Sequence, residues 1–408
     1  MELLYVLLVL LIFTRAFGEF SDRFGQPPLV GELLAGVVLG LVVQTFEGSF
    51  PSLSGVTSSE AIGAITDLGV FFLMLLAGIE THPSELGQAS RRALPVAIAG
   101  MVLPFLLGSG LGWWFLPASP FRLAQALFLG VALAITAVPV SVKVLMDLGV
   151  QDTMLGRVVV SAAIIDDIMS LILLAVLTAV IATGSVPDLS SLLVLLGKVA
   201  LFLGLTYVLG ARLFPLVGRW VKRMRGPHVE FSALIGWGLV FAVLAELLSM
   251  HFVVGAFAAG LYFVRQTFDP ETFERLEEQV RALTLGFFAP VFFASIGFHL
   301  DLQAVVAIPL FLMLLLAAAF AGKFLGAGLS ARAVGFTARE SVAIGAGMNA
   351  RGAVELIIAD VALRANLFDH PQPVPPIVGS LFSAVVIVAV VTTIVSPLIL
   401  RAMVARER

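Results

Sequence analysis

The sequence has no cysteine in its 408 residues, and only 12% of them are charged. The first absence removes disulfides, thiol catalysis and cysteine-ligated metals together. The second separates the chain from soluble domains, in which about 25% of residues are charged. The 24 lysines and arginines do not outnumber the 27 acids, so there is no basic excess and nucleic acid is not an expected partner. No glycine-rich phosphate loop is present, which argues against ATP hydrolysis. Neither enzymatic catalysis nor a cofactor is expected. No low-complexity tract and no appended soluble domain is visible.

What fills the chain is apolar: 60% of it is hydrophobic and the mean hydropathy is +1.07. No soluble core uses that much apolar surface. The runs are long and unbroken, near the ~20 residues a bilayer requires, and not the ~10-residue alternating strands of a barrel. The chain therefore reads as an all-α polytopic membrane protein. Polar, glycine and proline punctuation sets thirteen spans near 1–17, 28–46, 61–79, 93–117, 124–147, 155–183, 190–213, 231–249, 251–266, 283–298, 303–330, 340–364 and 376–403. Glu2 stands where a cleavable signal would be basic, and no small-residue cleavage site precedes Arg15. The first run is expected to stay as a span.

Lysine and arginine orient the spans. With the N-terminus outside, only Arg122 and Arg364 fall in outer loops, and Lys198, Lys323 and Arg351 fall within spans. Every other cation is cytoplasmic. The expected topology is N-out and C-in. The loop from Arg212 to Glu230 carries Arg219, Lys222, Arg223 and Arg225, which suits contact with anionic lipid heads. The acidic segment from Asp269 to Glu278 reads as a short cytoplasmic helix.

Charges inside a bilayer are expensive and usually functional. Span 6 contains Asp166-Asp167 about 18 Å from its start at 1.5 Å per residue, close to mid-bilayer. Neighbouring helical residues point about 100° apart, so the two carboxylates cannot share one partner. One can face a water-filled cavity while the other faces a helix. Span 11 supplies Lys323, flanked by Gly322 and Gly326, which permit close helix approach. A buried ammonium requires an anion, and Asp166 or Asp167 is available. A purely stabilising ion pair is the plainer reading of this set.

Two spans carry helix breakers. Span 5 contains Thr136-Ala137-Val138-Pro139-Val140-Ser141, in which Pro139 interrupts the backbone ladder. Span 12 contains Gly345-Ala346-Gly347-Met348-Asn349-Ala350-Arg351-Gly352-Ala353-Val354-Glu355. With span 7 (190–213) as a linker, 1–183 and 231–403 form two six-span halves of opposite topology. The broken helix is fifth in each, the inverted-repeat pattern of secondary transporters. Arg351 is placed to compensate the partial charge of C-terminal half-helix ends, with Glu355 balancing it four residues on. Thr136 and Ser141 supply neutral oxygens near the carboxylates. A carboxylate, hydroxyls and carbonyls at the midplane suit a monovalent cation or a proton. Glu32 reads as an acid favoured by a helix N-terminus, and Lys198 has no reading beyond snorkelling or a local partner.

These residues resemble the monovalent cation:proton antiporters, in particular the bacterial branch with NapA-like and Kef-like exchangers. The resemblance runs from Gly31-Glu32-Leu33-Leu34-Ala35-Gly36 through Asp166-Asp167 and Lys323 to Arg351-Gly352. It implies the sodium/proton antiporter fold, with a dimerisation domain and a six-helix core holding two crossed discontinuous helices. It implies a homodimer in the cell (inner) membrane with no resident metal. The transported Na+, Li+ or K+ and H+ would meet at Asp167. By the same likeness Asp166 partners Lys323, and Thr136 lies beside the ion site. Exchange would follow from proton and cation competing for Asp167, with the core moving against the dimer domain. Asp166 leans toward the electrogenic sodium type. Arg351-Gly352-Ala353-Val354-Glu355-Leu356 looks more like potassium-handling eukaryotic relatives. Three alternatives stand beside this reading: a K+/H+ antiporter of the same fold, a Na+-coupled organic-anion symporter, and a channel or sensor without coupled exchange.

Overall fold

Every regular element among the residues described in the computed structural model is helical. Those residues are 2–46, 51–56, 59–81, 90–151, 153–183, 189–221, 224, 228–263 and 269–404. A lone segment in hydrocarbon must pair all its own N–H and C=O groups, which a helix does. In chain order the helices are α1 (Glu2–Arg23), α2 (Pro28–Thr45), α3 (Glu60–Glu80), α4 (Ser90–Phe115), α5 (Arg122–Ala134) and α6 (Val138–Asp147). Next come α7 (Met154–Thr183), α8 (Leu189–Val208), α9 (Val229–Leu247), α10 (Phe252–Leu261) and α11 (Pro270–Leu283). The last four are α12 (Pro309–Lys323), α13 (Ala338–Gly347), α14 (Ala353–Arg364) and α15 (Leu381–Val404). Three helices run on through one wider π turn: α8 through Leu209–Leu213, α11 through Thr284–Phe288 to Phe298, and α12 through Phe324–Gly328 to Ala333.

Ten of these runs are long and apolar enough to cross a membrane. Three of the thirteen expected spans are not single helices of that length. Residues 124–147 and 340–364 each hold two helices with a non-helical stretch between. Among the described residues of 251–266 the helix is the 10-residue α10, about 15 Å long at 1.5 Å per residue and half a hydrocarbon core. A second expectation is corrected at α11. The acidic segment is not a separate helix but the first part of a run from Pro270 to Phe298. Asp269 caps it, accepting from the Thr272 N–H at 3.0 Å, and Pro270 opens it, so nothing breaks the helix before the apolar part begins. The basic residues Lys222, Arg223 and Arg225 lie outside the described residues.

The chain divides into two compact units. Unit 1 comprises Met1–Phe20, Gly31–Pro83 and Pro187–His299. Several of its buried or half-buried charges are paired locally. Glu32 is 5% exposed with Arg15 at 3.7 Å. Arg281 joins Glu80 at 3.0 Å and Glu277 at 2.9 Å, and Arg275 holds Glu230. Lys198 finds its partner here: its ammonium donates to the Ser249 hydroxyl at 2.8 Å.

Unit 2 comprises Ser21–Val30, Ser84–Val186 and Leu300–Arg408 and so contains Asp166, Asp167, Lys323, Arg351 and Glu355. The close approach expected at Gly322 and Gly326 is made by α4. A Cβ on Gly322 would lie 2.7 Å from the Pro104 Cα, and one on Gly326 would lie 2.3 Å from the Ala99 carbonyl oxygen. Around them Val96, Ala97, Val159, Ala163, Ala327 and Ile344 form one apolar cluster. Asp360 is 7% exposed and accepts from Arg364, one turn on, at 2.8 Å.

Candidate functional site

The breaks in α5–α6 and α13–α14 meet. The chain leaves α5 in extended conformation at Ile135 (ψ 147°) and enters α6 from an extended Ala137 (ψ 100°). Pro139 does not interrupt a helix, as the sequence suggested. It lies in the first turn of α6, where its missing N–H costs nothing. The second break runs from Met348 to an extended Gly352 (φ −165°). The Ala137 N–H donates to the Ala350 carbonyl at 2.7 Å, and the alanine side chains pack together. Each break supplies what the other lacks, because a helix end leaves carbonyls unpaired.

The two C-terminal ends are satisfied differently. At α5 the donors are cationic: Arg351 donates to the Ala132 carbonyl and, at 2.8 Å, to the Leu133 carbonyl, and Lys323 donates to the Ala134 carbonyl. At α13 they are hydroxyls: Ser141 donates to the Gly347 carbonyl, and Thr136 to the Met348 carbonyl at 2.9 Å. Opposite charge at a helix end is stabilising, so α5 carries two cations at its negative end. A third helix also reaches the second break. On α15, Thr393 donates to the Arg351 carbonyl at 2.6 Å, and Ser396 accepts from the Asn349 amide at 3.0 Å. Sequence reading passed over both, since a hydroxyl in an apolar helix ordinarily bonds its own preceding turn.

Asp166 and Lys323 are fully buried, 3.7 Å apart, and Lys323 also donates to the Thr136 hydroxyl at 2.7 Å. Neither Asp166 oxygen has a hydrogen-bond partner among the described residues. Asp167 is partly accessible and makes no hydrogen bond or ion pair among them. The adjacent carboxylates thus face different surroundings, as the 100° step of the helix requires. Arg351 and Glu355 are both fully buried and 3.4 Å apart, with Glu355 Oε2 and Asn349 Oδ1 unpartnered among the described residues. The structure brings Asp166, Thr136, Lys323, Arg351 and Glu355 into one cluster with the two breaks. Ser141 is committed to the α13 end and not to a carboxylate.

Asp167 adjoins this cluster in sequence, and with it three carboxylates stand against the two cations Lys323 and Arg351, one negative charge in excess when all five are ionised. A charge left so in low dielectric is costly, and one proton or one monovalent cation offsets it.

The family model for "Sodium/hydrogen exchanger, transmembrane" matches residues 6–406. The Na(+)/H(+)-K(+) antiporter GerN of Bacillus cereus is 33% identical over 402 residues, covering 98% of this chain and 96% of its own. A Na(+)/H(+) antiporter of Enterococcus hirae is 30% identical over 405 residues, covering 98% of both. Among solved structures, the sodium proton antiporter MjNhaP1 of Methanocaldococcus jannaschii superposes with a TM-score of 0.72 over 98% of this chain and 97% of that one. At 16% identity it shares the fold. A chain whose described elements are all helical, with two facing helix breaks and a buried charge cluster, matched over nearly its whole length, belongs to the sodium/hydrogen exchanger family of transmembrane cation/proton antiporters.

Proposed function

We propose that this protein exchanges Na+ or Li+ for H+ by competition at Asp167, with alternating access and net charge movement. The observation that carries the reading is the contrast between neighbours. Asp166 is fully buried against Lys323, while Asp167 is partly accessible and unpartnered among the described residues. A hard monovalent cation takes oxygen ligands, and the Asp167 carboxylate makes no hydrogen bond or ion pair among the described residues. A proton on that carboxylate removes the charge that holds the cation, so each excludes the other. Sodium stands in the names of both bacterial relatives and potassium in one, which supports sodium as the exchanged ion.

In this reading Asp166 holds Lys323, and Thr136 fixes the ammonium from the first break. Release of the Lys323 proton when Asp166 changes partner moves a second proton per cation and makes transport electrogenic. Pro139, Ser141, Asn349, Arg351 and Glu355 shape the crossing. Residues 1–183 and 231–403 form inverted halves around the linker 190–213, with the interrupted helix fifth in each. The N-terminus lies outside and the C-terminus inside the cell membrane, and two copies assemble as a homodimer.

The test is dye-reported proton flux in sealed proteoliposomes. Sodium or lithium added outside drives proton movement in the wild type, and clamping the voltage changes its rate. Asp167→Asn abolishes it. Wild-type flux from Asp167→Asn would remove Asp167 from the mechanism, and a potassium-only response would move the reading to K+/H+ exchange.

A further inference from the structure

The break between α13 and α14 shows almost a complete account of its polar groups, and part of that account lies on a helix outside the crossing. The carbonyls of Gly347, Met348 and Ala350 are taken by Ser141, Thr136 and the Ala137 N–H, all from the other break or its helix. The Arg351 carbonyl is taken by Thr393, and the Asn349 side chain by Ser396, both on α15. Thr393 is 0% exposed and Ser396 1%, so water does not compete for these bonds. Their neighbour Thr392 behaves otherwise, bonding its own preceding turn at the Val388 and Ala389 carbonyls.

We infer that Thr393 and Ser396 are positioning residues for cation binding, acting through the backbone that carries Arg351 and Asn349. The chain of contact is short. Thr393 fixes the carbonyl of Arg351, whose guanidinium spans the Ala132 and Leu133 carbonyls at the end of α5. The next carbonyl, Ala134, belongs to Lys323, which faces Asp166. A break that is free to shift loosens the α5 end and the ammonium that neutralises Asp166, and the field at neighbouring Asp167 loosens with it. Preorganisation of charged groups around a bound ion is where such a loss shows as affinity. A plain packing role for Thr393 would leave half-saturation in Thr393→Val unchanged, since valine replaces its shape without its hydroxyl.

This inference rests on the antiport reading, and the experiment separates the two. Sodium titrations of proton flux are run on wild type, Thr393→Val, Thr393→Ser and Ser396→Ala, with detergent melting temperatures alongside. Thr393→Val raises the half-saturating sodium concentration about fivefold to tenfold, the scale of one or two buried hydrogen bonds. Thr393→Ser, which keeps the donor, stays within about twofold of wild type. Ser396→Ala gives a smaller rise of about twofold to threefold. Unchanged half-saturation in Thr393→Val, with wild-type flux present, overturns the inference and leaves antiport standing. Should Thr393→Val fail to insert, Ser396→Ala decides, and wild-type half-saturation there overturns the inference equally. Absence of sodium-driven flux in folded wild type removes both readings.

Discussion

At the scale of single residues, the account turns on how differently two adjacent carboxylates are surrounded. Asp166 is bound into a buried pair, so breaking that pair is a stability event before it is a transport event. Lys323→Ala strands a buried carboxylate and leaves the Ala134 carbonyl without its donor. Removing one partner of a buried pair costs about 3–5 kcal/mol, which a lowered melting temperature reads directly. Replacing both partners, as Asp166→Asn with Lys323→Met, recovers part of that loss, and a double variant no more stable than Lys323→Ala would contradict the pairing. In the proposed exchange, Asp167 carries the pH dependence. Protons compete with sodium for it, so lowering the pH raises the half-saturating sodium concentration, by up to about tenfold per unit, while the rate at saturating sodium holds. Half-saturation independent of pH would exclude a shared carboxylate. Asp166, Asp167, Lys323, Arg351 and Glu355 were legible in the sequence because ionisable groups in apolar runs stand out. Thr393 and Ser396 were not, because a hydroxyl that bonds its own helix and one that reaches across look the same in a string of letters.

At the scale of elements, the crossing works by exchange of donors between helix ends. Arg351 uses separate nitrogens for the Ala132 and Leu133 carbonyls, a fork that a lysine ammonium cannot reproduce. Arg351→Lys therefore lowers both melting temperature and flux although the charge is kept. Equal flux and stability in that variant would show that the charge alone suffices. The two interruptions were readable from proline, glycine and charge in otherwise apolar runs, though Pro139 turned out to open α6 and not to break a helix interior. The length of α10 was not readable, since apolar composition continues past the point where the helix stops. Nor was the continuity of α11, where the acidic start resembles a solvated helix and only the cap at Asp269 and the unbroken ladder join it to the apolar part.

At the scale of the molecule, the distribution of lysine and arginine sets an orientation that chemistry can check, and the absence of cysteine makes the chain its own background for labelling. Gln372→Cys, in the exposed segment between α14 and α15, reacts with an impermeant maleimide added to intact cells. Ala338→Cys, at the exposed start of α13, reacts only after permeabilisation. The opposite pattern would invert the topology. The broad class was evident from composition, because 60% hydrophobic content with long unbroken runs fits a bilayer and no soluble core. The division into two compact units was not evident, since it joins segments distant in the chain. Ion identity is the property that composition leaves least determined: the oxygens that bind sodium bind potassium too, and spacing on the ångström scale decides between them.

The most direct measurement is proton flux in sealed proteoliposomes holding an internal pH dye, with sodium, lithium or potassium added outside in turn. Wild type and Asp167→Asn are compared, with and without an ionophore clamp on voltage. The account predicts a sodium- or lithium-driven, voltage-sensitive response in the wild type and none in Asp167→Asn. An equal response from both proteins would contradict it.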